Sequence, residues 1–142
     1  MIEFRVFGKP EPGGSKRHVG GHRIIDANPR VSDWRLKVEQ VAGEAMNGCE
    51  LLRGPLTASF VFTVTRPKSH YGAKGLRLSA PRFPIVKPDA LKLARAVEDA
   101  LSGVVYADDA QIVIGTQRKE YGEQAGVHVH VWELANEIEE AA

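Results

Sequence analysis

The sequence predicts an α+β fold, a mixed sheet of four to five strands packed against two main helices, and three observations carry that reading. Ile2, Phe4 and Val6 alternate with Glu3 and Arg5, the period of a half-buried strand. Ala90, Leu93, Ala94, Val97, Ala100 and Leu101 recur at about 100° per residue, the period of an amphipathic helix. The order of elements is strand, helix, strand, helix, strand, strand, which lacks the strict alternation of an all-parallel α/β sheet. The 142 residues, 43% hydrophobic and 26% charged, fit one domain spanning 1–142 and are too apolar for a disordered chain.

Each element follows from its residues. Residues 2–7 form the first strand. Gly8 to Ala27 reads as a basic loop, because Pro10, Pro12, Gly13 and Gly14 exclude regular structure and Gly20-Gly21 interrupts any later pattern. Asn28-Pro29 is a helix start, with Ser32 as a second candidate cap. Trp34, Val38, Val41 and Ala45 follow at helical spacing, and Asn47-Gly48 stops the helix. Leu56–Thr65 is rich in β-branched and aromatic residues and reads as a strand. Residues 66–87 hold Pro67, Pro81 and Pro84 together with six cations, a long loop of the kind that is functional or mobile. Asp89–Ser102 is the clearest helix, closed by Gly103. Two strands, Gln111–Glu120 and Val127–Glu133, are joined by a turn containing Tyr121-Gly122. Residues 136–142 are an acidic tail expected to fray.

The formal charge of +1 conceals a strong division. From Gly54 to Arg95 the cations are Arg66, Lys68, Lys74, Arg77, Arg82, Lys87, Lys92 and Arg95, against Asp89 alone. From Ala96 to Asp109 only acids occur: Glu98, Asp99, Asp108 and Asp109. A basic stretch leading into carboxylates suits a protein that handles phosphates with a metal ion, although a solvated surface carries the same charges. Cys49 is the single cysteine, so an intrachain disulfide is excluded. The alternating start Met1-Ile2-Glu3-Phe4-Arg5 predicts no signal peptide, no run reaches the ~20 apolar residues of a membrane span, and the expected setting is the cytoplasm.

Asp89 follows a proline at the mouth of a helix, where it serves as a cap or a ligand, and Asp108-Asp109 is either a turn or a ligand pair. Taken together they match what Mg²⁺ requires, one or two carboxylates completed by water and phosphate oxygens. Lys92 and Arg95, one turn apart on the polar face, are placed to neutralise charge developing on a phosphate.

These residues resemble the RusA-type Holliday junction resolvases, Mg²⁺-dependent endodeoxyribonucleases common in phages and prophages. The match is carried by Lys87-Pro88-Asp89, Lys92-Leu93, Arg95, Asp99-Ala100-Leu101, Gly103 and Asp108-Asp109-Ala110-Gln111-Ile112. Gly8-Lys9-Pro10, Gly14-Ser15-Lys16-Arg17, Asp26-Ala27-Asn28-Pro29 and Lys119-Glu120-Tyr121-Gly122 extend it over almost the whole chain. The resemblance implies paired symmetric cleavage of four-way DNA junctions in recombination and repair by a homodimer, with Mg²⁺, or Mn²⁺ in its place, and no nucleotide cofactor. It implies Asp89, Asp109, Arg95 and Lys92 as catalytic residues, and Lys9, Lys16, Arg17, Arg66, Lys68 and Lys87 as contacts to the DNA backbone.

One position departs from the family. Leu91 stands where the family has its second catalytic Asp, and Arg95 where many members have Lys. The metal ligands implied are then Asp89 and Asp109, with Asp108, Glu98 or Asp99 assisting. Two alternatives follow: a junction-binding protein whose catalysis is weak or lost through Leu91, and a nuclease for other branched DNA such as flaps.

The remaining motifs carry less. His128 and His130 share one strand face, read as a polar sheet face over a zinc site for want of a third ligand. His18, His22 and His70 lie in basic loops. Gly13-Gly14-Ser15-Lys16 lacks the spacing of a nucleotide-binding phosphate loop, Ser15 has no triad partners, and Trp34 belongs to core packing.

Overall fold

The computed structural model describes residues 1–14, 20, 21 and 29–135, together with the backbone of 16–18 and 24–26. The side chains of Ser15, Lys16, Arg17, His18 and His22, the Asn28 cap and the 136–142 tail therefore lie outside the described residues. The architecture is the expected α+β one: a four-stranded mixed sheet under two helices, with two short two-stranded ribbons.

Strand β1 (Ile2–Phe7) alternates buried and exposed residues as its sequence requires. Strands β2 (Lys16–His18) and β3 (Ile24–Asp26) pair antiparallel inside the segment expected to be irregular. Gly20 and Gly21 both adopt positive φ there, so the glycines that break the local pattern also let the chain reverse. Helix α1 (Val31–Met46) begins after Arg30, which makes no side-chain cap, and Ser32 lies inside the first turn, so it is not the cap. The buried stripe is Val31, Trp34, Val38, Ala42 and Met46. Ala45 is exposed, because that stripe follows the 3.6-residue period past Val41 to Ala42. Asn47 closes the helix in the left-handed conformation, as Asn47-Gly48 predicts.

Strand β4 (Leu56–Val64) is central and buries Leu56, Ala58, Phe60 and Phe62. The basic segment after it contains a 3₁₀ turn, Lys68–His70, and a small ribbon, β5 (Tyr71–Gly72) with β6 (Gly75–Leu76). Helix α2 (Ala90–Leu101) buries Leu93, Ala94, Ala96, Val97, Ala100 and Leu101. Strand β7 (Ile112–Tyr121) then pairs parallel to β4, and β8 (Gly126–Glu133) antiparallel to both β4 and β1. The order across the sheet is β1-β8-β4-β7.

The last two strands are thus consecutive in sequence but not neighbours, since β4 lies between them. Pairing β4 with β7 in parallel requires a crossover, which α2 supplies. Both helices cover one sheet face, α1 packing on β1 and on α2, and α2 on β7 and β4. The core combines this helix layer with the inward rows Ile2, Phe4, Val6 and Val127, Val129, Val131. On the other sheet face His128 meets Glu3 at 2.7 Å, and His130 stacks on Trp132 with ring centroids 4.5 Å apart. Among the described residues no helix is long and apolar enough to cross a membrane.

Candidate functional site

Helix α2 organises the charged residues. Asp89 precedes it in extended backbone, and its Oδ1 accepts a hydrogen bond from the Lys92 N–H at 3.3 Å. It is therefore an N-cap, which leaves its other carboxylate oxygen available. Lys119, reaching from β7, fixes the turn just before it. Its Nζ donates to the carbonyls of Val86 at 2.8 Å and Pro88 at 3.0 Å. Asp89, Lys87, Lys92, Pro88 and Pro12 line a cavity of about 370 Å³.

At the other end of α2 the chain turns sharply. Gly103 takes φ +83°, Val105 N–H returns to the Leu101 carbonyl, and Gly103 N–H donates to the Tyr106 carbonyl. Tyr106 is fully buried and its hydroxyl donates to the Glu98 carbonyl at 2.9 Å. Burial, and then the negative charge of Glu98, Asp109 and Asp99, pushes the Tyr106 phenol far above its ordinary value, so it remains a donor. This turn delivers Asp108 and Asp109 beside the end of the helix.

Asp108 caps the 3₁₀ turn Asp109–Gln111, its Oδ1 accepting from the Ala110 N–H at 2.9 Å. Gln111 completes a reciprocal box. Its Oε1 accepts from the N–H groups of Ala107 and Asp108, while its Nε2 donates to the carbonyls of Leu52 and Gly54, both at 3.1 Å. One side chain thereby ties the acidic turn to the segment entering β4.

The acids at this end perturb one another. The Asp109 carboxyl is raised, first by its hydrogen bond with Asp108, then by burial and by the charges of Asp108 and Asp99, with Arg95 opposing. Asp108 is lowered by the Ala110 N–H and by the same bond to Asp109, so the two behave as a pair sharing a proton. Burial raises Glu98 as well, followed by the charges of Asp109 and Asp99 and opposed by Arg95. Asp99 also pairs with Arg35 of α1 at 3.2 Å.

The structure therefore brings Arg95, Glu98, Asp99, Asp108 and Asp109 together. Asp89, Lys87 and Lys92 form a second locus at the opposite end of the helix. Glu98 lies nine positions after Asp89, about 13 Å along the axis at the rise of an α-helix. Arg95 lies between the two loci on the exposed side, as does Leu91, which is 67% exposed.

The basic segments meet this face. Gly13 N–H donates to the Lys92 carbonyl at 2.9 Å, laying the N-terminal loop across α2. A Cβ on Gly14 would fall 2.7 Å from Arg95 Cδ, and Gly14 has φ +84°, so glycine is what lets Arg95 lie against the loop. Lys9, Lys87 and Lys119 border one further cavity of about 370 Å³. Lys68 is exposed. Arg66 is committed to internal partners, donating to the Pro81 carbonyl at 2.7 Å and lying 4.3 Å over the Tyr121 ring.

For the metal that the sequence resemblance implies, the donor chemistry decides. Among the described residues no three Asp, Glu, His or Cys side chains are arranged to hold an ion. A Mg²⁺ site needs fewer, one or two carboxylates with water and phosphate supplying the rest. Asp108 and Asp109, with Glu98 close enough to be raised by Asp109, meet that requirement with hard oxygen donors in an excess of negative charge.

Sequence reasoning singled out Gln111 and Lys119 only as matched positions. Their roles as clasps on the two aspartate-bearing turns depend on contacts 57, 59, 31 and 33 residues away in sequence. Tyr106 carried no signal beyond its place beside Asp108.

The chain is 25% identical over 138 residues to the uncharacterized protein YqaN of Bacillus subtilis (strain 168), covering 94% of this chain and 97% of that protein. The family model for endodeoxyribonuclease RusA matches residues 5–132, which include both aspartate-bearing turns, α2 and the N-terminal loop laid across it. The chain belongs to the RusA endodeoxyribonuclease family.

Proposed function

We propose that this protein is a Mg²⁺-dependent endonuclease, with Mn²⁺ as a substitute, that resolves four-way DNA junctions by paired nicks and acts as a homodimer. Beyond the family itself, one observation supports the reading: Asp109 shares a hydrogen bond with Asp108 and its charge raises Glu98, beside Arg95 on the exposed side of α2 and next to a loop that enters a basic segment. Carboxylates gathered next to a guanidinium are what a metal-dependent phosphodiesterase needs, and perturbed acids cluster at functional sites.

In this mechanism Asp108 and Asp109 would hold the ion, with Glu98 or Asp99 assisting. The ion, when bound, polarises the scissile phosphoryl group and lowers the pKa of its bound water. Arg95 and Lys92 neutralise charge on the phosphate as the bond breaks. Asp89 fixes the start of α2 through its cap and lines one cavity with Lys87 and Lys92. Lys9, Lys68 and Lys87, with Lys16 and Arg17, position the strands through phosphate contacts, which suit a substrate distinguished by shape. Two related nicks on opposed strands require two sites in matching orientation, which a two-fold dimer supplies.

Leu91, apolar and exposed between Asp89 and Arg95, favours a second reading, in which the protein binds junctions and cleaves them poorly. The test is cleavage of a synthetic four-way junction with and without Mg²⁺, with flap and linear duplex controls and Asp109→Asn. Mg²⁺-dependent paired nicks in the junction, lost in Asp109→Asn, are expected. Binding without nicks would establish the second reading, and preferential flap cleavage would move the substrate to other branched DNA.

A further inference from the structure

The segment after β4 and the end of β7 enclose a cavity of about 340 Å³ that neither aspartate locus uses. Its lining joins guanidinium groups to aromatic rings. Arg66 lies 4.3 Å over the Tyr121 ring, and Arg82 lies 5.4 Å from the centroid of Phe83. Arg118 and Tyr71 also line it. Tyr71 and Phe83 are 49% and 46% exposed, so each leaves much of its ring surface uncovered. Arg66 is anchored to the Pro81 carbonyl and His70 Nδ1, and the His70 ring meets Tyr121 edge-on at 5.5 Å. Arg66 and Tyr121 are therefore held in place, while the Tyr71 and Phe83 rings stand open.

We infer that this cavity accepts one unpaired nucleotide, its base stacking on Tyr71 and Phe83 and its phosphate meeting Arg82 and Arg118. The inference rests on branched DNA being the substrate. Three points support it. The volume lies at the lower end of the ~300–1,000 Å³ typical of small-ligand sites, suited to a single base and unsuited to a duplex. Aromatic rings beside arginines form a platform for unstacked bases, because every base offers a π-face. Guanidinium groups outnumber the carboxylates on the lining, Glu120 and Glu123, and Glu120 lies 3.5 Å from Arg118 Nε, which offsets its repulsion of phosphate.

Position supports it too. Tyr121 is a wall shared with the neighbouring apolar cavity of about 370 Å³, whose lining continues through Pro88. Pro88 and Lys87 in turn border the cavity at Asp89. A base held here extends the bound strand toward Lys87 and the Asp89 end of α2.

The experiment measures affinity of the full chain, by fluorescence anisotropy, for a labelled branched duplex with one unpaired thymidine at the branch. The control carries an abasic residue at that position. The base-bearing probe should bind at least about fivefold more tightly, the effect of one aromatic–base stack. Tyr71→Ala and Phe83→Ala should each shrink the preference, and Tyr71→Phe should retain it. Because both rings are about half exposed, circular dichroism should show each alanine variant folded. Tight binding to both probes with no preference, or a preference untouched by either alanine variant, would overturn the nucleotide pocket and leave the nuclease reading intact. Failure to bind either probe would overturn both.

Discussion

Replacing Leu91 with aspartate tests whether α2 faces the reacting phosphate. Leu91 is the second residue of α2 and 67% exposed, so about one-third of its side chain is covered. Scaled from ~1.5–3 kcal/mol for complete burial, the substitution forfeits about 0.5–1 kcal/mol. Poorer helix propensity removes up to ~0.7 kcal/mol more. Against this, an acid in the first turn gains about 0.3–1 kcal/mol from the helix dipole. Its spacing four residues before Arg95 adds about 0.2–0.5 kcal/mol. The terms cancel to within about 1 kcal/mol, so the melting temperature should move by less than ~5 °C. The new carboxylate does not lie across a helical i,i+2 step from Asp89, because Asp89 is outside the helix with ψ 154°. Were the ion held at the Asp89 end of α2, the two acids could face it and the Mg²⁺ concentration that half-saturates junction cleavage would fall on the order of tenfold, comparable to the ~10–100-fold effects of supporting groups around a metal. With the ion on Asp108 and Asp109 at the other end, that concentration should stay the same. If Glu98 already fills that role, Leu91→Asp will be neutral or inhibitory and Glu98→Ala will abolish cleavage. Unchanged rate and Mg²⁺ dependence in both variants would refute the placement of α2 beside the metal.

Three further perturbations follow from the same geometry. Glu98 has a raised pKa, so the folded chain binds protons more strongly than the unfolded one, and its contribution to stability declines as pH rises from about 4.5 through the raised value. Glu98→Gln should therefore be more stable than the parent at pH 7 and lose that advantage below pH 4.5 in urea unfolding. An equal advantage at both pH values would show that charge is not the cause. Gln111→Leu removes four hydrogen bonds of the Gln111 amide, each worth about 0.5–1.5 kcal/mol net. It should cost about 2–4 kcal/mol and speed amide exchange at Ala107–Ala110, while Gln111→Glu, which cannot donate to Leu52 and Gly54, should recover only part. Lys119→Met removes the charged donor to Val86 and Pro88, costing about 1.5–3 kcal/mol, and should weaken junction cleavage through loss of position at Asp89. A variant of normal stability and rate would show that the turn holds itself.

Local pattern made much of this legible. Alternation in β1 and the stripe of α2 survive in the structure because each is dictated by one buried face, and Asn47-Gly48 ends α1 because few other residues tolerate the left-handed turn. What escaped is non-local. Nothing in residues 112–133 says that β7 and β8 flank β4, since that order follows from a crossover closing over the sheet. The types of the site residues were legible as well, down to the alternatives for Asp89, which acts as a cap. Their grouping was not: whether Asp108-Asp109 joins the beginning or the end of α2 is decided by the turn at Gly103 and by Tyr106, buried beneath it.

That grouping explains why the acidic turn is tied so firmly. Asp109, Asp108, Glu98 and Asp99 repel one another, and a flexible loop would relax by letting Asp108-Asp109 swing into solvent. The fold prevents this with bonds to backbone groups: Ala110 N–H to Asp108, Gln111 to Ala107, Asp108, Leu52 and Gly54, and Tyr106 to the Glu98 carbonyl. Each of these contacts leaves the Asp109 carboxyl uncovered by a cation, while Arg95, the nearest offsetting charge, lowers Asp109 and Glu98 only as the last of several influences. Holding carboxylates together against their repulsion costs stability that a purely structural turn would not bear. The cost falls when a cation or a protonated partner enters, which ties the local stability of the α2–β7 turn to occupancy of the site.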